Sequence, residues 1–563
     1  MQSKKHVIGK AEVQRAADLL EAYRRGKQSL DRRILEDERW YRLRHGAAVR
    51  SGEPAPASGW LLNSLLGKHG DMMDNYPAPD VLPREPSDMQ DAKTLSRILP
   101  VILERSDFEG LYSRNAYPKL RHGTACYGVF WDPEAEDGRG DVRVTAVDLL
   151  NLFWEPGVRD IQDSRNLFLV TQCDNDLLDA AYPALRGKLR APIDSTNQRI
   201  PEDVLDRSGK SQVVDWYYKK RLPNGKTIVH FCKFVGSTVL YASENEQMFM
   251  SQGLYDHGQY PFVLDVLFPL EDSPAGFGYV DLMKGTQGYI DQLDAIILNN
   301  ARLAGRPRWF YRDACGVNEQ EFADFTRDFV HVTGRLDPDD LRQIEGEPLP
   351  AFIANHLQNK VEELKETSGN RDFAQGGTNS GVTAASAIAA LQEAGSKLSR
   401  DLIKGSYRAF TQVCTLVIEL IRQFYDDSRA VRITGEDGKP MFLTLGGLAR
   451  RDRHVAFDIQ VRAQKASPFT QMSRNEQAKE LYRLGFFRPD LAGQALIALE
   501  MMDFDGIETV KKRIAAQAGV QQSVTGPQGT ASNTKQGAPL TVAQQLIPKT
   551  GTSASRAGEG ETP

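Results

Sequence analysis

The 563-residue sequence has little that marks a redox, metal-binding or secreted protein. Its five cysteines are scattered without a C-x-x-C pair, which indicates neither a zinc knuckle nor a disulfide framework and fits a reducing compartment. The nine histidines form no H-E-x-x-H motif, and no G-x-S-x-G motif is present, so the sequence predicts no metal, no cofactor and no catalytic residues. These absences disfavour an enzyme.

Long apolar runs are also missing. The two longest, PFVLDVLFPL and VCTLVIELI, are short and carry Asp265 and Glu419, and the lysines of the N-terminus are not followed by an apolar signal core. These signals predict neither export nor a membrane span. The net charge of -5 argues against a generally basic nucleic-acid binder, but it allows a protein past which DNA slides without being held.

The segment AQGGTNSGVTAASAI, residues 374–388, lacks one lysine of a phosphate-binding loop. The motif G-x-x-x-x-G-K-[ST] matches at Gly376, Gly381 and Thr383, whereas Val382 occupies the lysine position. A phosphate-binding loop also follows a strand, and the residues before this segment have a helical pattern. A nucleotide-hydrolysing, DNA-handling enzyme with a degenerate loop is therefore an alternative interpretation and not the favoured one.

The first half of the chain predicts helices followed by a sheet. Residues 11–123 have a helical pattern, in which Pro77 and Pro79 end one helix and Pro100 is expected to break or kink another. From about residue 126, seven short β-branched and aromatic runs are separated by turn residues. One pair of runs, in RLPNGKTIVHF, predicts a hairpin with Asn224-Gly225 at its tip.

Helical patterns return in the second half and complete an α+β, multidomain fold. One helix is predicted over GYVDLMKGTQGYIDQLDAIILNNARLAG, with a stripe at Leu282, Tyr289, Leu293, Ile297 and Leu303. A compact mixed segment, a second helix and the glycine-rich loop follow, and the longest helical pattern of the chain then runs from residue 384 to about 425. Two strand-like pieces and short helices come next, and the Gly/Ser/Thr-rich composition after about residue 521 predicts disorder.

This order of elements resembles the portal, or head-tail connector, protein of tailed double-stranded DNA bacteriophages. The resemblance covers most of residues 20–515. It is carried by several stretches in this order: DMMDNYPAPDVLPRE, LRHGTACYGVFWDPE, DLLNLFWEPGVRDIQDSRNLFLV, GYVDLMKGTQGYIDQLDAIILNNARLAGRPRW and SGVTAASAIAALQEAGSKLSRDLIKG.

The resemblance implies a portal fold with an α/β wing, a two-helix stem, a small mixed clip, a tunnel loop and a helical crown. The implied division is 1–275 wing, 276–303 stem helix, 304–349 clip, 350–368 stem helix, 369–383 tunnel loop, 384–467 long helix and remaining wing strands, 468–518 crown and 519–563 disordered tail.

The resemblance also implies a function. Portal subunits form a ring, expected to be a dodecamer, at one capsid vertex of the virion, and double-stranded DNA enters and leaves through its channel. The expected partners are the terminase large subunit, which hydrolyses ATP, a head-tail adaptor, and the major capsid and scaffolding proteins. The ring assembles in the bacterial cytoplasm, and no membrane is involved. A virion adaptor or scaffold that forms no pore is a further alternative.

Three sets of candidate site residues follow from the resemblance. Small, polar or flexible residues of the tunnel loop are expected to face DNA: Gly369, Asn370, Arg371, Gln375, Gly376, Gly377, Thr378, Asn379, Ser380 and Gly381. Acidic residues of the stem are candidates for the channel wall, although each of them also suits an intersubunit or solvent-facing position: Asp281, Asp291, Asp294, Glu362, Glu363 and Glu366. Interleaved basic and aromatic residues are candidates for the clip interface, either with a protein partner or between clips of the ring: Arg306, Arg308, Trp309 and Arg312.

Overall fold

The fold is that of a computed structural model of the whole chain. The residues that it describes are 7–45, 56–192, 209–305, 308–313, 316–324, 326–335, 337, 341–344, 349–369, 397–425, 429–434, 440–444, 457–463, 478–486, 488, 491–500, 507 and 510–516. The chain divides into two compact units, residues 1–467 and 468–563.

Helices and antiparallel strands are mixed along the first unit, as the α+β prediction requires. Its helices are α1 Lys10–Tyr41, α2 Trp60–Asp74, α3 Met89–Arg105, α4 Phe108–His122, the single turn α5 Ala135–Gly138, α6 Asn175–Ala181, α7 Tyr279–Gly305, α8 Glu319–Ala323, α9 Ala351–Ser368 and α10 Lys397–Phe424. Its strands are β1 Pro77–Pro83, β2 Thr124–Asp132, β3 Asp141–Val147, β4 Leu152–Trp154, β5 Asn166–Asp174, β6 Lys210–Arg221, β7 Thr227–Val235, β8 Thr238–Ala242, β9 Phe262–Val266, β10 Phe268–Leu270, β11 Ser273–Phe277, β12 Arg308–Tyr311, β13 Leu341–Ile344, β14 Ala430–Thr434, β15 Pro440–Thr444 and β16 Phe457–Ala463.

Two antiparallel sheets form the centre of this unit. Their strand orders are β4-β5-β6-β7-β8 and β3-β2-β9. The seven predicted strand runs correspond to β2 through β8, and the predicted hairpin joins β6 to β7, where Gly225 has φ of +85° and its amide donates to the Leu222 carbonyl at 2.9 Å. Helix α1 lies on the five-stranded sheet, where Val13, Leu20 and Tyr23 pack against aromatic residues that include Phe168.

The largest core is built around α10. Its buried side chains include Leu402, Phe410, Val413 and Val417, which contact residues of α2, α3, α4 and the three-stranded sheet. The prediction of a long amphipathic helix is confirmed over residues 397–424; the predicted part from 384 to 396 lies outside the described residues.

In the N-terminal part, the end of a helix before Pro77 and Pro79 is confirmed, whereas the break expected at Pro100 does not occur. Helix α3 runs unbroken through Pro100, because this proline is on the exposed face while Ile98, Leu99 and Ile102 bury the opposite face. The segment from Pro77 is more than the end of a helix: it forms strand β1, which pairs with β16. Its prolines are tolerated because β1 is an edge strand of a two-stranded sheet.

The second unit has a small core of its own. Helix α11, Ala492–Glu500, and the helical residues 510–516 bring together Ala492, Ala495, Leu499 and Ile514. The tail that was predicted to be disordered lies outside the described residues.

Candidate channel surface and interfaces

Helices α7 and α9 form an antiparallel pair. The Thr286 hydroxyl donates to the Glu363 carboxylate at 3.3 Å, and the Lys360 ammonium lies 5.9 Å from the centre of the Tyr289 ring. The contacts therefore run in opposite directions along the two helices. The segment between them, which includes β12, α8 and β13, leaves from the end of α7 and returns to the start of α9.

The face that α7 buries is not the one that its sequence indicates. Val280, Met283 and Ile290 are buried, whereas Leu282 and Tyr289 of the predicted stripe are 42% and 59% exposed. Helix α7 has apolar residues on more than one face, and periodicity does not tell which face the same subunit covers. Leu282 and Tyr289 are thus available for contacts outside the subunit, whereas Leu293 and Ile297 of the stripe are half-buried.

The exposed charged side chains in the C-terminal half of α9 are carboxylates. Glu363 accepts a hydrogen bond from Lys360 at 2.6 Å, and Glu362 pairs with Lys365 at 3.3 Å. In each pair the carboxylate is the more exposed partner, 50% against 24% and 65% against 23%. Glu366 is exposed as well.

Lys360 and Lys365 are less exposed than the carboxylates because their ammonium groups lie over aromatic rings. The Lys365 ammonium lies 5.8 Å from the centre of the Trp60 ring, and the Lys360 ammonium lies 5.9 Å from the centre of the Tyr289 ring. The hydrogen bond from Lys360 lowers the pKa of Glu363, which therefore stays ionised at neutral pH. The surface of α9 consequently presents negative charge outward, with its positive charge set back.

Asp291, by contrast, is occupied inside its own subunit. This side chain is buried and accepts hydrogen bonds from the Ser58 amide at 2.9 Å, from the Ser58 hydroxyl at 2.7 Å and from the Gln287 amide at 3.0 Å. The Nε2 atom of His45 lies 2.8 Å from its second carboxylate oxygen. Asp291 thus fixes the chain on both sides of residues 46–55 to α7, and it does not belong to an exposed acidic surface. Asp294, one turn further, is half-buried.

Asp281 also has its partners within the subunit, at a cluster of charges that joins α1 to α7. The Lys284 ammonium lies 3.1 Å from Asp281, 3.5 Å from Asp37 and 3.4 Å from Glu36, and Arg33 approaches Asp281 at 3.7 Å. Asp37 is fully buried, and its Oδ2 atom has no hydrogen-bond partner among the described residues. Burial raises the pKa of Asp37 to about 8, and the nearby Asp281 carboxylate adds to the rise.

This cluster should make stability fall with rising pH. An unfolded chain ionises Asp37 near pH 4, whereas the folded chain keeps the proton until about pH 8. Between these values the folded state binds the extra proton, so its free energy of unfolding decreases as pH rises, by at most roughly 1.4 kcal/mol per pH unit. We expect D37N to flatten this slope in urea titrations between pH 5 and pH 9 and to be more stable than the wild type at pH 9. E36Q, which changes an exposed neighbour, should keep the slope; a D37N slope equal to that of the wild type would contradict the assignment.

A buried ion pair fixes the beginning of α10. The Lys119 ammonium donates to Asp265 at 2.6 Å, to the Ser406 hydroxyl at 2.6 Å and to the Leu402 carbonyl at 3.2 Å. Ser406 in turn donates to Asp265 at 2.9 Å, and the side chains of Lys119 and Asp265 are 0% and 2% exposed. Lys119, Asp265 and Ser406 thus bond to one another, and this network holds the first turns of α10 to α4 and β9.

A second polar network holds the other end of α10. The Tyr425 hydroxyl donates to Asp141, whose carboxylate also contacts Arg105 at 3.2 Å and Arg429 at 3.4 Å. Burial raises the pKa of Tyr425 well above its usual range, so the phenol remains a donor. Sequence reasoning singled out none of these residues, because they are far apart along the chain.

The glycine-rich loop begins at the C-terminal end of α9. Gly369 has φ of +68°, a conformation that favours glycine, and its amide donates to the Glu366 carbonyl at 3.1 Å. The other nine predicted loop positions lie outside the described residues: Asn370, Arg371, Gln375, Gly376, Gly377, Thr378, Asn379, Ser380 and Gly381.

The clip candidates differ in their surroundings. Trp309 packs edge-on against Phe322 of α8, with ring centres 5.6 Å apart, and Arg312 is exposed. Arg308 is described only as the first residue of β12, and Arg306 lies outside the described residues. Arg342 of β13, which is exposed opposite the exposed Phe310, was missed, because alternation along a four-residue strand is too short a signal.

The described residues contain no group of three or more His, Cys, Asp or Glu side chains placed to hold a metal ion. None of the described helices combines the length and apolar character that crossing a bilayer needs. Ser243 does contact His230, at 3.1 Å, but both side chains are fully buried and no substrate reaches them.

In a comparison with known protein families, residues 69–550 match the family described as Phage P22-like portal protein. No curated protein matches the chain.

Proposed function

The chain belongs to the phage P22-like portal protein family, and from this membership we propose which of its surfaces carry out the family's task. A portal protein is a structural, non-enzymatic component of the virion, an oligomeric ring at a capsid vertex that serves as the channel for DNA packaging and ejection. The membership confirms the function that the sequence predicted, and it removes the interpretation as a nucleotide-hydrolysing enzyme.

The finer architecture is part of the proposal. The ring has twelve subunits. Residues 1–275 together with 384–467 form the wing, the two stem helices include α7 and α9, 304–349 form the clip, 369–383 the tunnel loop and 468–518 the crown. The clip meets the terminase large subunit during packaging and a head-tail adaptor afterwards, and the wing contacts the capsid and scaffolding proteins during assembly.

The channel wall in this proposal is the outer face of α9. It carries Glu362, Glu363 and Glu366, and its lysines are set back against aromatic rings. Asp294 of α7, which is half-buried, is a further candidate for the channel wall. A channel through which DNA moves must not hold the phosphates, because every cationic contact would be repeated around the ring. The outward carboxylates and recessed ammonium groups of α9 are the observation that supports this surface. Asp281 and Asp291 are left out of it, since both have partners within the subunit.

Imaging of the purified protein tests the ring. Negative-stain microscopy of the full chain should show closed rings with an axial hole and twelvefold symmetry in class averages. Compact particles without a hole, at any protein concentration, would instead favour an adaptor that forms no pore.

The tunnel loop is proposed to touch the moving DNA through small and polar side chains. Replacing Gly376 and Gly377 with proline would remove backbone freedom between the two helices that anchor the loop. We expect this double variant to form rings of normal appearance but to reduce the DNA packaged per capsid, measured as nuclease-protected DNA. G70A in α2 is the control, since a methyl group at this glycine meets open space. G26A in α1 is not suitable, because a methyl group there would collide with Pro156. Normal packaging by the proline variant would remove the loop from translocation.

A further inference from the structure

The clip lacks a hydrophobic core in its described part. Every described side chain between residues 316 and 342 is exposed or half-buried, and two phenylalanines are mostly in solvent: Phe310 is 65% exposed and Phe329 is 84% exposed. Large apolar side chains that are left open in this way, next to charged residues, mark a surface that another protein covers.

One of the two open patches lies on the ladder of β12 and β13. Residues directly opposite each other in a ladder share a face, and successive residues alternate between faces. Trp309 lies opposite Gln343, and its ring packs edge-on against Phe322 of α8 while remaining 38% exposed. Phe310 lies opposite Arg342 on the other face, where both are exposed. Arg342 has no ion-pair partner among the residues that the structure describes. This patch is apolar and positively charged.

The second open patch is the segment Asp328, Phe329 and Val330. All three side chains are exposed, and Asp328 makes no ion pair within the described chain. The neighbouring arginine, Arg327, is engaged elsewhere, since it pairs with Glu321 at 3.2 Å and with Asp324 at 3.3 Å. This patch is apolar and negatively charged.

The geometry points to a subunit contact in which Phe310 and Arg342 of one clip pack against Phe329 and Asp328 of the next. The inference rests on the ring of the proposed function. In a closed ring each subunit uses two different surfaces, one toward each neighbour, and these surfaces must complement each other. The two patches combine an aromatic ring with opposite charges, so a second copy of the chain supplies what each patch lacks. The terminase or adaptor would then bind the clip through other residues.

Exchanging the two charges tests the contact. R342E and D328R each place like charges together at every junction of the ring, and we expect each to lower the fraction of full-length protein in rings about tenfold, measured by sedimentation velocity. The double variant R342E/D328R restores the opposite charges in reverse order and should return the ring fraction to near the wild-type value. R335E serves as the matched control, because Arg335 is an exposed clip arginine that pairs with Asp337 at 3.3 Å, and it should leave the ring fraction unchanged.

A disulfide tests proximity without depending on charge. The variant F310C/F329C is prepared with C315S, since Cys315 belongs to the same segment of the sequence. Mild oxidation of assembled rings should give a ladder of covalent multiples of the chain, while either single cysteine should give at most dimers.

The outcomes separate this inference from the function itself. If the wild type forms rings but the charge exchange gives no rescue and the cysteines do not cross-link, the contact is wrong and the ring stands. If R342E rings are normal and terminase binding is lost instead, the patch belongs to the packaging partner and the inference is again overturned. Absence of rings in the wild type would contradict the proposed function.

Discussion

The variant K119M is expected to lose about 3–5 kcal/mol of its free energy of unfolding, because it leaves the Asp265 carboxylate buried without its cation. Asp265 would keep the hydrogen bond from Ser406, but this hydroxyl cannot neutralise it. Burial of an unpaired charge is among the most destabilising changes that a single substitution makes. Urea titrations at pH 7.5 and a fixed protein concentration, followed by tryptophan fluorescence, measure the loss.

Two further variants distinguish loss of the buried pair from loss of any lysine. K119M/D265N removes both charges, and we expect it to regain a large part of the lost stability, because an uncharged pair has no uncompensated carboxylate. K210M removes a lysine whose pair with Asp174 is exposed and 3.7 Å long, so its effect should stay within about 0.5 kcal/mol. A K119M loss below about 1 kcal/mol would show that the network does not fix α10.

The position of this network explains why it matters for a portal subunit. Lys119 contacts the first turns of α10, directly after the segment that contains the glycine-rich loop, while Asp141 and Tyr425 hold the last turn. Because α10 is fixed at both ends, we expect it to keep its position when the preceding loop changes conformation. We therefore expect K119M to affect packaging through ring stability and not through DNA contacts.

Local sequence patterns predicted most of the elements, because alternation and helical periodicity depend on neighbours in the chain. The strands β2 to β8 and the β6–β7 hairpin follow from such patterns. Strand β1 did not, since its partner β16 is almost 380 residues away and its three prolines conceal the pattern. Pro100 was misjudged for the related reason that burial of the opposite helix face outweighs one missing hydrogen bond.

The candidate site could likewise be predicted only as far as it depends on residues that are close together in the sequence. An acidic helix can be recognised from composition, but whether a given carboxylate faces outward depends on partners that are distant in sequence. Asp291 is turned inward by Ser58 and His45, more than 230 residues away. Glu362 and Glu363 instead pair with lysines three positions away and remain exposed, although Glu363 also accepts a hydrogen bond from Thr286 of α7. Likewise, the sequence indicates aromatic residues in the clip, and only the register of β12 with β13 shows that Trp309 and Phe310 have different surroundings.

Reversing the charge of the proposed channel wall should have the largest effect on function. In E362K/E366K each substitution replaces a negative with a positive charge and raises the net charge by two, so the net charge of the subunit changes from -5 to -1, and the change is repeated in every copy. Lysines at these exposed positions would contact phosphates, and each pair of phosphate contacts makes DNA affinity fall roughly tenfold between 50 and 200 mM salt. We expect rings of normal appearance that retain DNA.

Packaged DNA and salt dependence measure this effect together. Nuclease-protected DNA per capsid should fall about tenfold or more, and DNA binding by the isolated variant ring should weaken steeply as salt increases. E21K/E104K is the matched control, because it makes the same change of charge at exposed positions of α1 and α3. Glu21 pairs with Arg24 three positions away, as Glu362 pairs with Lys365. If the stem variant packages as well as this control, the outer face of α9 does not face the channel. If both variants fail equally, net charge and not its location governs packaging, and the assignment of the wall is again wrong. Only a defect confined to the stem variant, relieved by raised salt, agrees with a channel wall whose carboxylates keep the DNA moving.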